Sequence, residues 1–206
     1  MKKIIILSTL IALCFGQIQR GGTPKYFGDL SFTDINFIST EGKTVFDRDF
    51  HPMVFQYGTE YIMDVNFIDE AQVTIEDNMY TFTLGVSSYG AYGIGFSFSE
   101  FYLTESAELY FYDRERTDFL GALTSLNNKG SESMTTSIVK GSDVIIELTV
   151  PKNELSNIKL HLSSVIHDRE DIMNYYNTLD ENPEDCNLNV ICPEGDDWRE
   201  QINGVV

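Results

Sequence analysis

The sequence predicts an all-β fold, an antiparallel two-sheet β-sandwich of jelly-roll-like form, on three observations. Apolar residues recur mainly at every second position from about Phe32 to Val165, clusters of turn-forming residues punctuate these runs, and no helical pattern interrupts them. Tyr80, Phe82, Leu84 and Val86 alternate with Thr81, Thr83 and Gly85, the period of a strand with one buried face. Ile94, Phe96 and Phe98 alternate with Gly95, Ser97 and Ser99. Val144, Ile146, Leu148 and Val150 flank Ile145, Glu147 and Thr149, and Ile158, Leu160 and Leu162 enclose Lys159 and His161. Ser87-Ser88-Tyr89-Gly90, Asn127-Asn128-Lys129-Gly130 and Lys140-Gly141-Ser142-Asp143 read as turns between strands. Without helices to carry crossovers, parallel pairing is not expected. After the last strand, Ile172, Tyr175, Tyr176 and Leu179 fall at helical spacing and predict two turns. The run from Asp180 to Asp185 has no apolar residue and reads as an exposed linker.

A chain of 206 residues with 42% hydrophobic residues buries a sizeable core in one or two domains. Fourteen Lys+Arg stand against 32 Asp+Glu, a formal charge of -18, and so acidic a surface repels phosphate backbones; nucleic acid is excluded as a partner. At the N-terminus Lys2 and Lys3 precede an almost wholly apolar run from Ile4 to Phe15, followed by the small Gly16. This is the pattern of a signal peptide cleaved after Gly16, so the protein is expected to be secreted, with no transmembrane helix after cleavage. The apolar run is about a dozen residues, short of the roughly 20 needed to span a bilayer. Cys14 is a poor lipid acceptor because the bulky Leu13 precedes it. Cys186 and Cys192 then remain, and in an oxidising compartment they either close a small loop together or take partners elsewhere.

The residues themselves offer no catalytic constellation. His51, His161 and His167 lack zinc-site spacing, and His161 falls on the polar face of its strand. Gly90, Gly93 and Gly95 are in the wrong order for a dinucleotide loop and read as a turn into a strand. Asp113-Arg114-Glu115-Arg116 reads as a solvated hairpin loop, and the acidic clusters at Asp168 to Asp171 and Asp180 to Asp185 lack the spacing of a calcium loop. No serine stands in a Gly-x-Ser-x-Gly or Gly-Asp-Ser-Gly-Gly setting. The expectation is therefore no catalytic, metal or cofactor-binding residue and no cofactor.

The segment Cys186-Asn-Leu-Asn-Val-Ile-Cys192-Pro-Glu-Gly-Asp-Asp-Trp-Arg-Glu-Gln-Ile-Asn-Gly-Val-Val206 resembles the opening of the mature domain of lysyl endopeptidases and related trypsin-like secreted serine proteases. Upstream, Gly21-Gly-Thr-Pro24, Ala107-Glu-Leu-Tyr-Phe-Tyr-Asp113, Gly121-Ala-Leu-Thr-Ser-Leu-Asn-Asn128, Gly141-Ser-Asp-Val-Ile-Ile-Glu147 with Pro151, and Val165-Ile-His-Asp168 are similar to the propeptides of that group. The resemblance covers nearly the whole chain and is least marked between about Phe32 and Ala71.

It implies a signal peptide (residues 1–16), a β-sandwich propeptide (17–180), an acidic linker (181–185) and the truncated start of a trypsin-like β-barrel catalytic domain (186–206). It further implies that Cys186 and Cys192 are half-cystines whose partners, like the Ser-His-Asp triad, lie beyond Val206, and that the sequence is partial or truncated. The family releases its propeptide after a lysine, but no Lys or Arg occurs between Arg169 and Cys186, so cleavage in the acidic linker by another protease is expected. The partner implied is the downstream or cognate serine protease domain, which the propeptide helps to fold and inhibits. A stand-alone secreted sandwich binding a protein or carbohydrate through Tyr89, Tyr92, Tyr110 and Tyr112 is the alternative.

Overall fold

Residues 17–29, 35–46 and 56–174 are described by the computed structural model. Cys14, the Gly16 cleavage site, His51, the linker, Cys186, Cys192 and the segment 186–206 lie outside the described residues. Among the described residues eleven strands succeed one another in chain order: β1 (Phe37–Ser39), β2 (Gly58–Asn66), β3 (Gln72–Glu76), β4 (Met79–Ser87), β5 (Gly93–Tyr102), β6 (Glu108–Asp113), β7 (Phe119–Leu123), β8 (Met134–Thr135), β9 (Val139–Lys140), β10 (Asp143–Pro151) and β11 (Lys159–Asp168). They form two antiparallel-rich sheets. The first has the order β1-β4-β10-β6-β7 with β3 also on β4, and the second the order β2-β11-β5-β8 with β9 also on β5.

The alternating apolar residues explain how the sheets meet. Leu84, Val86, Leu109, Phe111, Val144, Ile146 and Leu148 of the first sheet bury against Ile94, Phe96, Phe98, Leu160, Leu162 and Val165 of the second in one core. Phe96 stacks on Phe111 across the gap with ring centroids 5.1 Å apart. Residue 172 opens a helical turn after β11, described as far as residue 174.

Two features depart from the sequence reading. The first is a one-turn helix, α1 (Phe67–Glu70), where β2 passes to the first sheet: the Asn66 side chain accepts the Ile68 N–H, and Phe67 is fully buried. The turn serves to drop one aromatic ring into the core, too local an effect to leave a periodicity. The second is that β1 pairs in parallel with β4, Phe37 opposite Gly85. No crossover helix is needed, because β2, α1 and β3 carry the intervening chain through the other sheet and back.

Gly85 has a specific reason to be glycine, since a Cβ there would run into the Phe37 ring. Gly85→Ala is expected to push Phe37 and β1 off the sheet edge and to cost about 1–3 kcal/mol of overpacking. Urea unfolding measures the cost, and amide exchange at Gly85, whose N–H is bonded to the Asn36 carbonyl, reports the loss of β1.

The outer face of the first sheet is also covered. Tyr110, Tyr112, Ala122 and Ile145 form a second buried cluster with Phe27, Ile35, Phe37 and Phe119 packed on it. Residues 17–29 start beside β8 of the second sheet and then pass over this face as a strap. The Gln17 side chain bonds Ser137 and the Thr135 carbonyl, the Arg20 N–H donates to the Ala122 carbonyl, and the Lys25 and Tyr26 N–H groups both donate to the carboxylate of Glu147. Glu147 is fully buried and also accepts from the Tyr112 hydroxyl at 2.9 Å. Alternation along β10 places Ile145 and Glu147 on an outward face; they do not reach solvent because the strap closes over them.

Candidate functional site

One end of the sandwich gathers most of the residues that the sequence singles out. Ser87 pairs with Asp143, Asp113 with Val144, Gly93 with Lys140 and Gly58 with Asp168, so the β4–β5, β6–β7 and β9–β10 turns and the exit from β11 share that end. The β4–β5 turn is held at each step. Ser88 donates its N–H to the Ser142 carbonyl, Ala91 to Ser88, Tyr92 to the Asp168 carbonyl, and Gly141 to the Tyr92 carbonyl. On this fixed backbone Tyr89 is 99% exposed and Tyr92 54% exposed. Gly90 adopts φ +81°, the left-handed turn that glycine permits, so the reading of this segment as a turn into a strand agrees with its geometry. The aromatic platform divides: Tyr110 and Tyr112 are buried in the second cluster and present nothing to a ligand, whereas Tyr89 and Tyr92 are open. Burial, with Glu108 beside it, pushes the Tyr110 phenol up to about 12.

Sequence reasoning misses a chain of polar groups beneath this turn. Thr40 Oγ1 and Ser88 Oγ are 2.8 Å apart, and Ser88 Oγ is 2.8 Å from His167 Nδ1. Nothing in the spacing of positions 40, 88 and 167 signals it, because each comes from a different strand end. The serine–imidazole geometry is that of a nucleophile and base, yet Ser88 is fully buried and its oxygen is shared with Thr40. The arrangement therefore acts as a clamp joining β1, β4 and β11.

Burial first, and the Arg169 charge second, lower the His167 pKa against the opposing pull of Asp168; the Tyr61 ring packs edge-on at 6.0 Å. The folded protein thus gives up a proton that the unfolded chain keeps, so stability present above the ordinary value of 6.5 is lost as pH falls through the lowered one. A His167→Asn variant is expected to lose less melting temperature than the wild type between neutral pH and about pH 5. An equal loss in both proteins would assign the pH dependence to other groups.

Asp168, also fully buried, accepts the N–H groups of Glu170 and Ile172 and so starts the helical turn after β11. Its neighbourhood is a cap. Asp113 is spoken for by Thr117 and the Asp118 N–H inside the β6–β7 loop. His161 stays near the surface and bonds Asp64 at 2.9 Å. A groove of about 310 Å³ runs along the same end as the β4–β5 turn, between the β6–β7 and β9–β10 turns; Arg114, Glu115, Lys140 and Ser142 line it, and Asp143 holds Ser87 and faces Arg114 at 4.0 Å. Among the described residues no cluster of His, Cys, Asp and Glu could hold a metal ion, and no helix is long and apolar enough to cross a membrane.

The site and fold together define a two-sheet β protein that displays aromatic side chains on one loop end. No family model matches the chain, and no solved structure matches it.

Proposed function

We propose that residues 17–180 are the propeptide of a secreted trypsin-like serine endopeptidase of the lysyl endopeptidase type, which assists the folding of the protease domain beginning at Cys186 and inhibits it until removed. The chain itself lacks the Ser-His-Asp triad, and hydrolysis is the work of the domain that it precedes. The observation that carries the reading is the segment Cys186–Val206, with its Cys-Pro-Glu-Gly, following the β-rich region in the sequence. The strand order adds support for the finer fold: β2-β11-β5-β8 faces β4-β10-β6-β7, and among these eight strands every connection but β6–β7 changes sheet, the winding of a jelly roll. Export through the signal peptide brings the two cysteines into an oxidising compartment where half-cystines find partners.

The test is refolding of the cognate catalytic domain with and without this chain. The expected result is a higher yield of active enzyme on refolding and loss of activity when the chain is added to the native enzyme; no change in either overturns the reading.

A second reading, a stand-alone secreted sandwich that binds carbohydrate or protein, is favoured by the exposed Tyr89 and Tyr92 near a polar groove. Binding of a glycan that Tyr89→Ala abolishes, without any effect on the protease, would support it instead.

A further inference from the structure

The loop end that displays Tyr89 and Tyr92 is also the end from which the chain leaves the sandwich. His167, the penultimate residue of β11, is bonded to Ser88, and the carbonyl of Asp168 accepts the Tyr92 N–H. The exit is thereby fixed against the β4–β5 turn. Met173, in the helical turn after β11, is 48% exposed. A fully exposed tyrosine on a mobile loop needs no explanation, but here the backbone on both sides of Tyr89 is pinned by hydrogen bonds, so a binding partner has little backbone left to order. Aromatic anchors of this sort dominate the energetics of interfaces.

We propose that Tyr89 and Tyr92 form a docking surface for the chain's own continuation, the segment Cys186–Val206. This deepens the propeptide reading by naming the surface through which the β domain holds the start of the protease domain. Residues 175–185, between the last described helical turn and Cys186, can reach up to about 40 Å when extended, ample to bring the segment back to a turn adjoining its exit. The chemistry is complementary: Leu188, Val190, Ile191 and Trp198 supply apolar area for two tyrosine rings. Tethering raises the effective concentration of the segment, so a modest contact suffices to keep it docked.

Trp198 is the single tryptophan of the chain and reports on the segment directly. The experiment measures its emission and its quenching by acrylamide in the full chain, in Tyr89→Ser and Tyr92→Ser, and in Leu126→Ser, a control at an exposed position on the opposite end. The expected result is a shielded, blue-shifted Trp198 in the wild type and in the Leu126 variant, and a red shift with several-fold stronger quenching in the tyrosine variants at unchanged melting temperature. Overturning results are a Trp198 as open as the free amino acid in the wild type, shielding that ignores both tyrosines, or shielding that fades on dilution and so belongs to a second copy. Each would leave the propeptide reading standing, because refolding and inhibition of a separate catalytic domain do not depend on where residues 186–206 sit.

Discussion

Phe111→Ala is expected to lower the unfolding free energy by about 3–5 kcal/mol, the cost of lost transfer energy plus the cavity left in a core that cannot collapse. Phe111 is fully buried in the middle of β6, faces Ile146 across the β10 pairing, and touches the Phe96 and Phe98 rings of the opposite sheet. The single substitution therefore removes the contact that joins the layers, not one confined to a sheet. Urea denaturation measures it, with Phe111→Leu as the volume-sparing comparison expected to lose less. A drop below about 1 kcal/mol for the alanine variant would mean that the sheets do not meet at this ring.

Glu147→Ala is expected to cost about 3 kcal/mol or more, because it strands three donors, one part-buried and two buried, and a buried donor left without an acceptor costs about 1–3 kcal/mol. The donors are the N–H groups of Lys25 and Tyr26 and the hydroxyl of Tyr112. Two of them belong to the strap, so the variant has a signature that simple loss of packing would not give: faster amide exchange at Lys25 and Tyr26 and proteolytic trimming of residues 17–29 while the two sheets persist. Burial raises the Glu147 carboxyl above its ordinary range, opposed by the Tyr26, Lys25 and Tyr112 hydrogen bonds and the Lys25 charge. A raised value means that the folded state keeps a proton the unfolded chain has released, so this group's contribution is full below 4.5 and shrinks as pH rises through the raised value. The trend is opposite in sign to that of His167, and comparison of each variant with the wild type separates the two. Normal protection of Lys25 and Tyr26 in Glu147→Ala would show that the strap is held elsewhere.

The inner face of the sandwich is legible in the sequence because its residues obey a period of two: Phe82, Leu84 and Val86 of β4 and Val144, Ile146 and Leu148 of β10 all point where alternation sends them. The outer face of the first sheet escapes the same rule for the converse reason. Alternation assigns Ile145, Tyr110 and Tyr112 to solvent, and only the strap, a segment distant in sequence, makes that face interior. A signal is present: Leu109-Tyr110-Phe111-Tyr112 is apolar without interruption, the mark of a strand buried on both faces. Glu147 stays hidden because a charged residue inside such a face makes sense only once its three donors are assembled. The Thr40–Ser88–His167 clamp is likewise invisible, since it depends on three strand ends meeting and leaves no spacing in the chain. Tyr89 is legible as part of a turn, and its exposure accords with that; Tyr92 and the exit at Asp168 become neighbours only through the pairing of β4, β5 and β11.

These elements combine in one account: a strapped, double-layered β domain that holds the most exposed of its described aromatic rings beside the end of β11, and that we propose precedes a protease domain. Reading the gene past the codon for Val206 tests it most directly. The account predicts an open frame that encodes Thr-Ala-x-His-Cys and, later, Gly-Asp-Ser-Gly-Gly, supplying the triad and the partners of Cys186 and Cys192. A natural secreted product that ends at Val206 and is complete and active without them would contradict it.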